Sequence, residues 1–170
     1  MDIRPPTASD AAAFQALRLA GLQECPEAFA SSYEEERDIS LEELSRRLVP
    51  KATQCVLGAS REKQLIGILG FQVESKHKLA HKAFIWGMYV MPAHRRKGIG
   101  GRLLATALEM ADSLPSLHLV TIAVNSSNVA AVALYEKLGF TTYGVEPDAL
   151  LVNGQLYDET QMFRHSRGRT

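Results

Sequence analysis

The sequence predicts a single α/β domain: a mixed, twisted sheet, mostly antiparallel, with helices on both faces. Three observations carry that expectation. Helical and strand-like segments alternate along the chain, and the runs Thr53–Ala59, Leu65–Glu74 and Ala83–Met91 follow one another closely enough to form a meander. In the third run Phe84, Trp86, Met88 and Val90 fall on one side and Ile85, Tyr89 and Met91 on the other, so both faces require cover and the strand belongs in the middle of the sheet. A chain of 170 residues with 46% hydrophobic content is long enough for one well-buried core and too short for two ordinary domains, so the domain spans 1–170.

The elements follow in order. After a short extended start, Ser9-Asp10 precedes an amphipathic helix from about Ala11 to Glu24, with Phe14, Leu17 and Gly21 on one face and Pro26 beyond its end. The acidic run Glu34-Glu35-Glu36 reads as a solvated face, with attraction of a cationic amine as the alternative. Ser40 and Glu43 have the spacing of a capping box, and Leu41, Leu44 and Leu48 recur at helical spacing as far as Pro50. The first two strands of the meander turn at the polar Arg61-Glu62-Lys63-Gln64. Beyond the third, Lys97–Gly101 opens a helix whose Leu103, Leu104, Ala107, Leu108 and Ala111 make a broad apolar stripe. A strand from His118 to Val124 comes next, and Asn128 caps a helix from Val129 to about Leu138 that Gly139 stops. Phe140 restarts the sheet, and Asn153-Gly154 marks a hairpin within Thr141–Phe163. The basic end Arg164–Thr170 reads as a frayed tail.

Composition narrows the function classes. Basic and acidic side chains balance at 19 each, which gives no electrostatic case for a nucleic-acid partner or an anionic membrane surface. The N-terminus lacks the pattern of a signal peptide and no run reaches transmembrane length, so a cytoplasmic protein is expected. Cys25 and Cys55 lack metal-type spacing and read as reduced, buried thiols. His77 and His81 are spaced like a metal pair but sit in a Lys-rich stretch with no third ligand, so no metal is expected. The sequence is compatible with a homodimer without requiring one.

The informative segment runs from Met88 to Leu104: a buried strand, the basic loop Arg95-Arg96-Lys97-Gly98-Ile99-Gly100-Gly101 and a helix start. Exposed N–H groups at a helix N-terminus favour an anion, and glycines let a phosphate approach the main chain. His94 lies beside this loop in the sequence. A P-loop needs a hydroxyl after its lysine, and Gly101 is followed by Arg102 and Leu103; a dinucleotide fingerprint needs a glycine where Leu103 stands. What remains is Arg-x-x-Gly-x-Gly over Arg95–Gly100. Downstream stands Val124-x-x-x-Asn128-x-x-Ala131-x-x-Leu134-Tyr135-x-Lys137-x-Gly139-Phe140, in which Asn128, Ala131 and Tyr135 share one helix face.

Together, from about Phe84 to Phe140, these two motifs resemble the GNAT superfamily of acetyl-CoA-dependent N-acetyltransferases. The resemblance implies that the main chain of Met88, Tyr89 and Val90 pairs with the pantetheine arm of acetyl-CoA, the acyl-donor substrate. It implies that Arg95, Arg96, Lys97, Gly98, Ile99, Gly100 and Gly101 take the pyrophosphate, that Asn128 bonds the cofactor, and that Tyr135 is the general acid for the departing thiolate. Direct attack by an amine, without a metal or an acyl-enzyme, follows from the same likeness. A small-molecule amine is the expected acceptor; a protein N-terminus or lysine, or a noncatalytic acyl-CoA-binding role, are the alternatives. In relatives that acetylate a ribosomal protein's N-terminus a Glu lies one residue before the position of Val124, where this chain has Ala123. The general base is left open among Glu34, Glu36, Glu146, Asp158 and an ordered water chain. Read without the likeness, Asn128 is justified as a helix cap and Tyr135 as a packed aromatic.

Overall fold

The computed structural model describes residues 1–166. Strand β1 (Asp2–Arg4) is followed by helices α1 (Ala11–Glu24), α2 (Tyr33–Glu36) and α3 (Leu41–Leu48). The meander β2 (Gln54–Arg61), β3 (Gln64–Val73) and β4 (Lys82–Val90) leads into α4 (Ile99–Asp112), β5 (Leu119–Asn125) and α5 (Val129–Lys137), and a hairpin of β6 (Thr141–Val152) and β7 (Gln155–His165) completes the chain. All seven strands form one sheet in the order β1-β2-β3-β4-β5-β7-β6, antiparallel except between β4 and β5. The strand expected at the centre, β4, is fourth of seven.

Local sequence explains the turns. Asn153 and Gly154 both have positive φ, 50° and 80°, the mirror-image turn that matches the twist of paired strands. Glu62 and Lys63 reach the same geometry, at 52° and 69°, without a glycine. Asn128 and Ser40 cap α5 and α3 by accepting the N–H of Ala131 and Glu43. The acidic run is not merely a solvated face: Ser32 and Glu35 close a reciprocal capping box around α2, and Glu36 turns inward.

Apolar side chains cover both faces of the sheet. Leu103, Leu104, Ala107 and Ala111 of α4 pack on Leu57, Leu69, Val120 and Met162, while Phe14, Leu17 and Leu22 of α1 and Leu44 and Leu48 of α3 pack on Val56, Ile68 and Tyr89. The expected face assignment of β4 fails halfway along. Between the pairs Ile68↔Tyr89 and Gly70↔Trp86, β3 contributes one residue and β4 two, Gly87 and Met88. Gly87 has φ 62°, which a side chain resists. This bulge inverts the alternation, so Met88 and Val90 join Ile85 on the α4 side while Tyr89 joins Trp86 on the α1 side.

The chain end also departs from expectation. β7 continues through His165, and Arg164 is buried, its two terminal nitrogens donating to Asp112 at 3.0 and 2.9 Å. Asp112 ends α4, where the helix dipole disfavours an anion, and the guanidinium offsets that cost. Ser166 is buried and bonds the same helix end. Fraying therefore does not begin at Arg164, and 167–170 lie outside the described residues. Replacing Arg164 by Met should lower stability by about 2–3 kcal/mol, somewhat less than a fully buried pair would give, and urea titration measures it.

Candidate active site

The sheet opens where the site lies. β4 and β5 pair only at Lys82↔Leu119, Ala83↔Val120 and Phe84↔Thr121, and beyond Phe84, ahead of the bulge at Gly87 and Met88, the pairing stops. Met88, Tyr89, Val90, Arg95, Asn125 and Asn128 line a cavity of about 400 Å³ in this gap. Deeper in the gap, Ile85, Gly87, Met88, Ala123, Ala131 and Tyr135 line its continuation. The structure thus gathers Met88, Tyr89, Val90, Arg95, Asn128 and Tyr135, distant in sequence, around one opening. On the β3 side Met91 N–H donates to Ile66 at 3.0 Å, so the alternating main-chain groups of Val90 and Met88 face the gap.

Arg95 is already engaged. Its terminal nitrogens donate to Glu24 at 2.9 and 3.0 Å, its Nε donates to the Val90 carbonyl at 2.9 Å, and its guanidinium lies 5.4 Å from the Tyr89 ring centroid. The Tyr89 hydroxyl donates to Glu24 as well. That bond and the Arg95 charge hold the Glu24 carboxyl below its usual range, while burial and then Glu24 push Tyr89 up to about 12. The triad ties α1, β4 and the loop together. By the same alternation the Tyr89 main chain faces β3, and its side chain is held on the α1 side, so Tyr89 lines the gap without presenting its N–H or C=O to it.

The loop after Arg95 forms an uncapped helix start. Arg96 has φ 58° and Gly98 φ 75°, and Gly98 is the N-cap of α4 without any side-chain bond. The first N–H groups of the helix, those of Ile99, Gly100 and Gly101, consequently point outward without intrahelical partners. The Ile99 side chain is buried in the core, so only its N–H is available there. Gly100 and Gly101 lie against α5, where an added Cβ would meet Leu134 at 3.6 and 3.4 Å, ordinary contact distances. Arg96 and Lys97 are exposed beside this start, with Lys97 Nζ donating to Ala93 at 2.9 Å, and half-buried His94 ends the preceding turn.

Tyr135 is 5% exposed, packed 6.1 Å from the Phe140 ring, and its hydroxyl has no hydrogen-bond partner among the described residues. Burial raises its pKa, so it holds its proton throughout the neutral range. Cys25 lines the same gap, and burial pushes its thiol up as well, which keeps it a poor nucleophile.

Sequence reasoning missed the groups on the other face of the sheet. Thr121, Ala123 and Asn125 of β5 stand opposite Phe163, Gln161 and Glu159 of β7, and such pairs share a face. A second cavity, of about 300 Å³, lies there against Arg18, Phe29, Trp86 and Gly87 and reaches Glu159 and Gln161. It shares Ile85, Trp86, Gly87, Ile122 and Ala123 with the gap that holds Tyr135, so the two adjoin at β4 and β5. Burial, and then the charge of Glu146, raise the Glu159 carboxyl. The four carboxylates named from sequence are placed differently. Glu36 binds Arg18, Asp158 accepts the Asp148 N–H, Glu146 accepts from Gln161, and Glu34 lines a cavity beside β6. His81 sits 6.2 Å from the ring of His118.

Comparisons with known proteins bear on the family and the fold. The family described as Acetyltransferase (GNAT) family matches residues 20–140. Spermidine N(1)-acetyltransferase of Vibrio cholerae is 27% identical over 124 residues, covering 72% of this chain and 70% of that protein. The fold is that of an acetyltransferase of the GNAT family from Streptococcus pneumoniae, at a TM-score of 0.85 and 23% identity over 96% of this chain and 98% of the other. It is likewise that of the protein yncA from Salmonella typhimurium, solved with its cofactor acetyl-CoA, at 0.80 and 23% over 97% and 93%. With the family match spanning well over half its length, the chain belongs to the GNAT family of acetyltransferases.

Proposed function

We propose that this acetyltransferase moves the acetyl group of acetyl-CoA onto the primary amine of a small molecule, by direct attack in a ternary complex. The observation that supports the reading is the parting of β4 and β5, with Tyr135 lining the cavity on one side of the parted strands and Glu159 the cavity on the other. The second cavity, about 300 Å³, is at the small end of ligand pockets and supports a small acceptor over a polypeptide. The spermidine-acetylating relative supports the same class.

The residues fit the donor. The uncapped start of α4 at Gly98–Gly101, flanked by Arg96 and Lys97, suits a pyrophosphate. The main chain of Met88 and Val90 offers hydrogen bonds to an extended amide-bearing arm, in the manner of an added strand, and Asn128 stands at the mouth. Arg95 orders the loop through Glu24 rather than carrying a free charge to the phosphate. Acetyl-CoA supplies the activated acyl group. Glu159 accepts a proton from the acceptor amine as the N–C bond forms, and a main-chain N–H at the bulge polarises the carbonyl. Tyr135 donates its proton to the sulfur as the C–S bond breaks, and solvent returns the two residues to their starting states.

A panel of amines with acetyl-CoA, followed by thiol release and product mass, tests the reading. Amine-dependent release with a monoacetylated product supports it; transfer only to proteins or peptides overturns the small-molecule part. The phosphate position has a test of its own. Gly100 is helical and a Cβ there meets only ordinary contacts, so Gly100→Ala should fold normally while weakening CoA binding by about tenfold or more, near 1.4 kcal/mol. Calorimetry reads this directly, and unchanged affinity would move the phosphate away from Gly100.

A further inference from the structure

Arg18 is an anomaly on the apolar face of α1. It is 6% exposed, and Glu36 takes its Nε and Nη2 at 2.9 and 2.7 Å. Phe29 lies under the guanidinium at 4.9 Å and Trp86 beside it at 6.0 Å. Its remaining terminal nitrogen, Nη1, is buried without a partner, directed at Gly87, where a Cβ would stand 3.2 Å from it. The indole Nε1 of Trp86 is also buried without a partner. Leaving a buried donor unmatched is costly, and native proteins keep few such groups.

Both residues line the cavity that adjoins the acetyl-transfer gap. Both groups donate and neither accepts, so what completes them is oxygen. Of the oxygen-bearing groups a carboxylate suits this wall best, because one of the two donors is charged and hydrogen bonds of a guanidinium to a carboxylate are about twice as strong as neutral ones. The same cavity reaches Glu159, an acceptor suited to an amine.

Building on the acetyl-transfer reading, we propose that the acceptor is a primary amine carrying a carboxylate, an amino-acid-like molecule. Arg18 and Trp86 hold its carboxylate while its amine faces Glu159. Gly87, which lacks a side chain, puts no Cβ in front of Nη1. A purely cationic polyamine would leave both donors unmatched, so the Arg18 subsite separates this chain from a spermidine-type acceptor preference.

The test uses matched triads on the whole chain: leucine, leucinamide and isopentylamine; tyrosine, tyrosinamide and tyramine; lysine, lysinamide and cadaverine. Calorimetry with CoA-saturated protein measures binding independently of turnover, and thiol release with acetyl-CoA gives kcat/KM. In at least one triad the acid should bind about tenfold or more tightly than the decarboxylated amine and the amide, with kcat/KM following the same order. Trp86→Phe, which keeps the ring, should reduce that preference severalfold, and Arg18→Met should bring it within about threefold. Equal or better binding of the amines or amides in every triad, no binding of any acid, or a preference unmoved in folded variants of both residues would overturn the subsite. An acid preference in binding without acetyl transfer would uphold the subsite and overturn the proposed reaction, so the two failures are distinguishable.

Discussion

Replacing Tyr135 by Phe should lower kcat by about 10²-fold while leaving acetyl-CoA affinity within about twofold. The ring packs against Phe140 and the α4-side core, and Phe preserves that packing, so the folded state keeps its shape. Only the hydroxyl is lost. Its burial keeps the phenol protonated across the neutral range, which leaves it a proton to give in the proposed role and prevents its own ionisation from producing an alkaline limb near pH 8. The measurement is single-turnover thiol release with a slow amine, where chemistry limits the rate. Full activity there would return Tyr135 to a packing role and leave the thiolate to be protonated by solvent. Affinity that falls along with kcat would place the hydroxyl in donor binding instead.

Glu159→Gln should reduce kcat/KM for the amine by about 10²-fold at neutral pH, because an amide cannot take the proton that the amine must lose. The pH profile carries more information than the size. With Glu159 as the proposed base the ionised carboxylate is the active form, so activity should fall as pH drops through the Glu159 pKa. Burial and the Glu146 charge raise that pKa, which sets the acidic limb above the ordinary carboxylate value of about 4.3. In Glu159→Gln this limb should vanish, leaving a rate that rises with the unprotonated fraction of the amine up to its own pKa, near 10. Glu146→Gln removes the like charge and should move the limb to lower pH with little loss of maximal rate. An unchanged acidic limb in Glu159→Gln would exclude it as the base.

The segment that resembles the family was legible because its signals are local. A helix start rich in glycine, an Asn cap and a Gly stop each act within a few residues, as does the Asn153-Gly154 turn beyond that segment, and the structure has each of them where the sequence puts them. The central position of β4 followed from apolar residues on both of its faces. The face assignment beyond Trp86 did not, because one extra residue at Gly87 inverts every side chain after it, and alternation counted along the chain carries no mark of the insertion. The charged tail read as frayed because Arg164 carries no local sign of a partner; Asp112, 52 residues away, is supplied by α4.

The sequence by itself determined the sheet-and-helix order, the anion-ready loop and the phenol at Tyr135, all set by contacts within a turn or a helix face. The tertiary structure alone decided which groups meet across the β4–β5 gap. Arg18 lies on the apolar face defined by Phe14, Leu17 and Gly21, and its burial becomes tolerable only when Glu36 folds back over it from α2. Glu159 becomes a candidate base because β7 pairs with β5 and sets it on the face opposite Tyr135. A pattern of residue types can announce a phosphate site, since one loop builds it. An acceptor pocket assembled from α1, β4, β5 and β7 has no such pattern, because its chemistry arises from strand pairing and burial rather than from spacing.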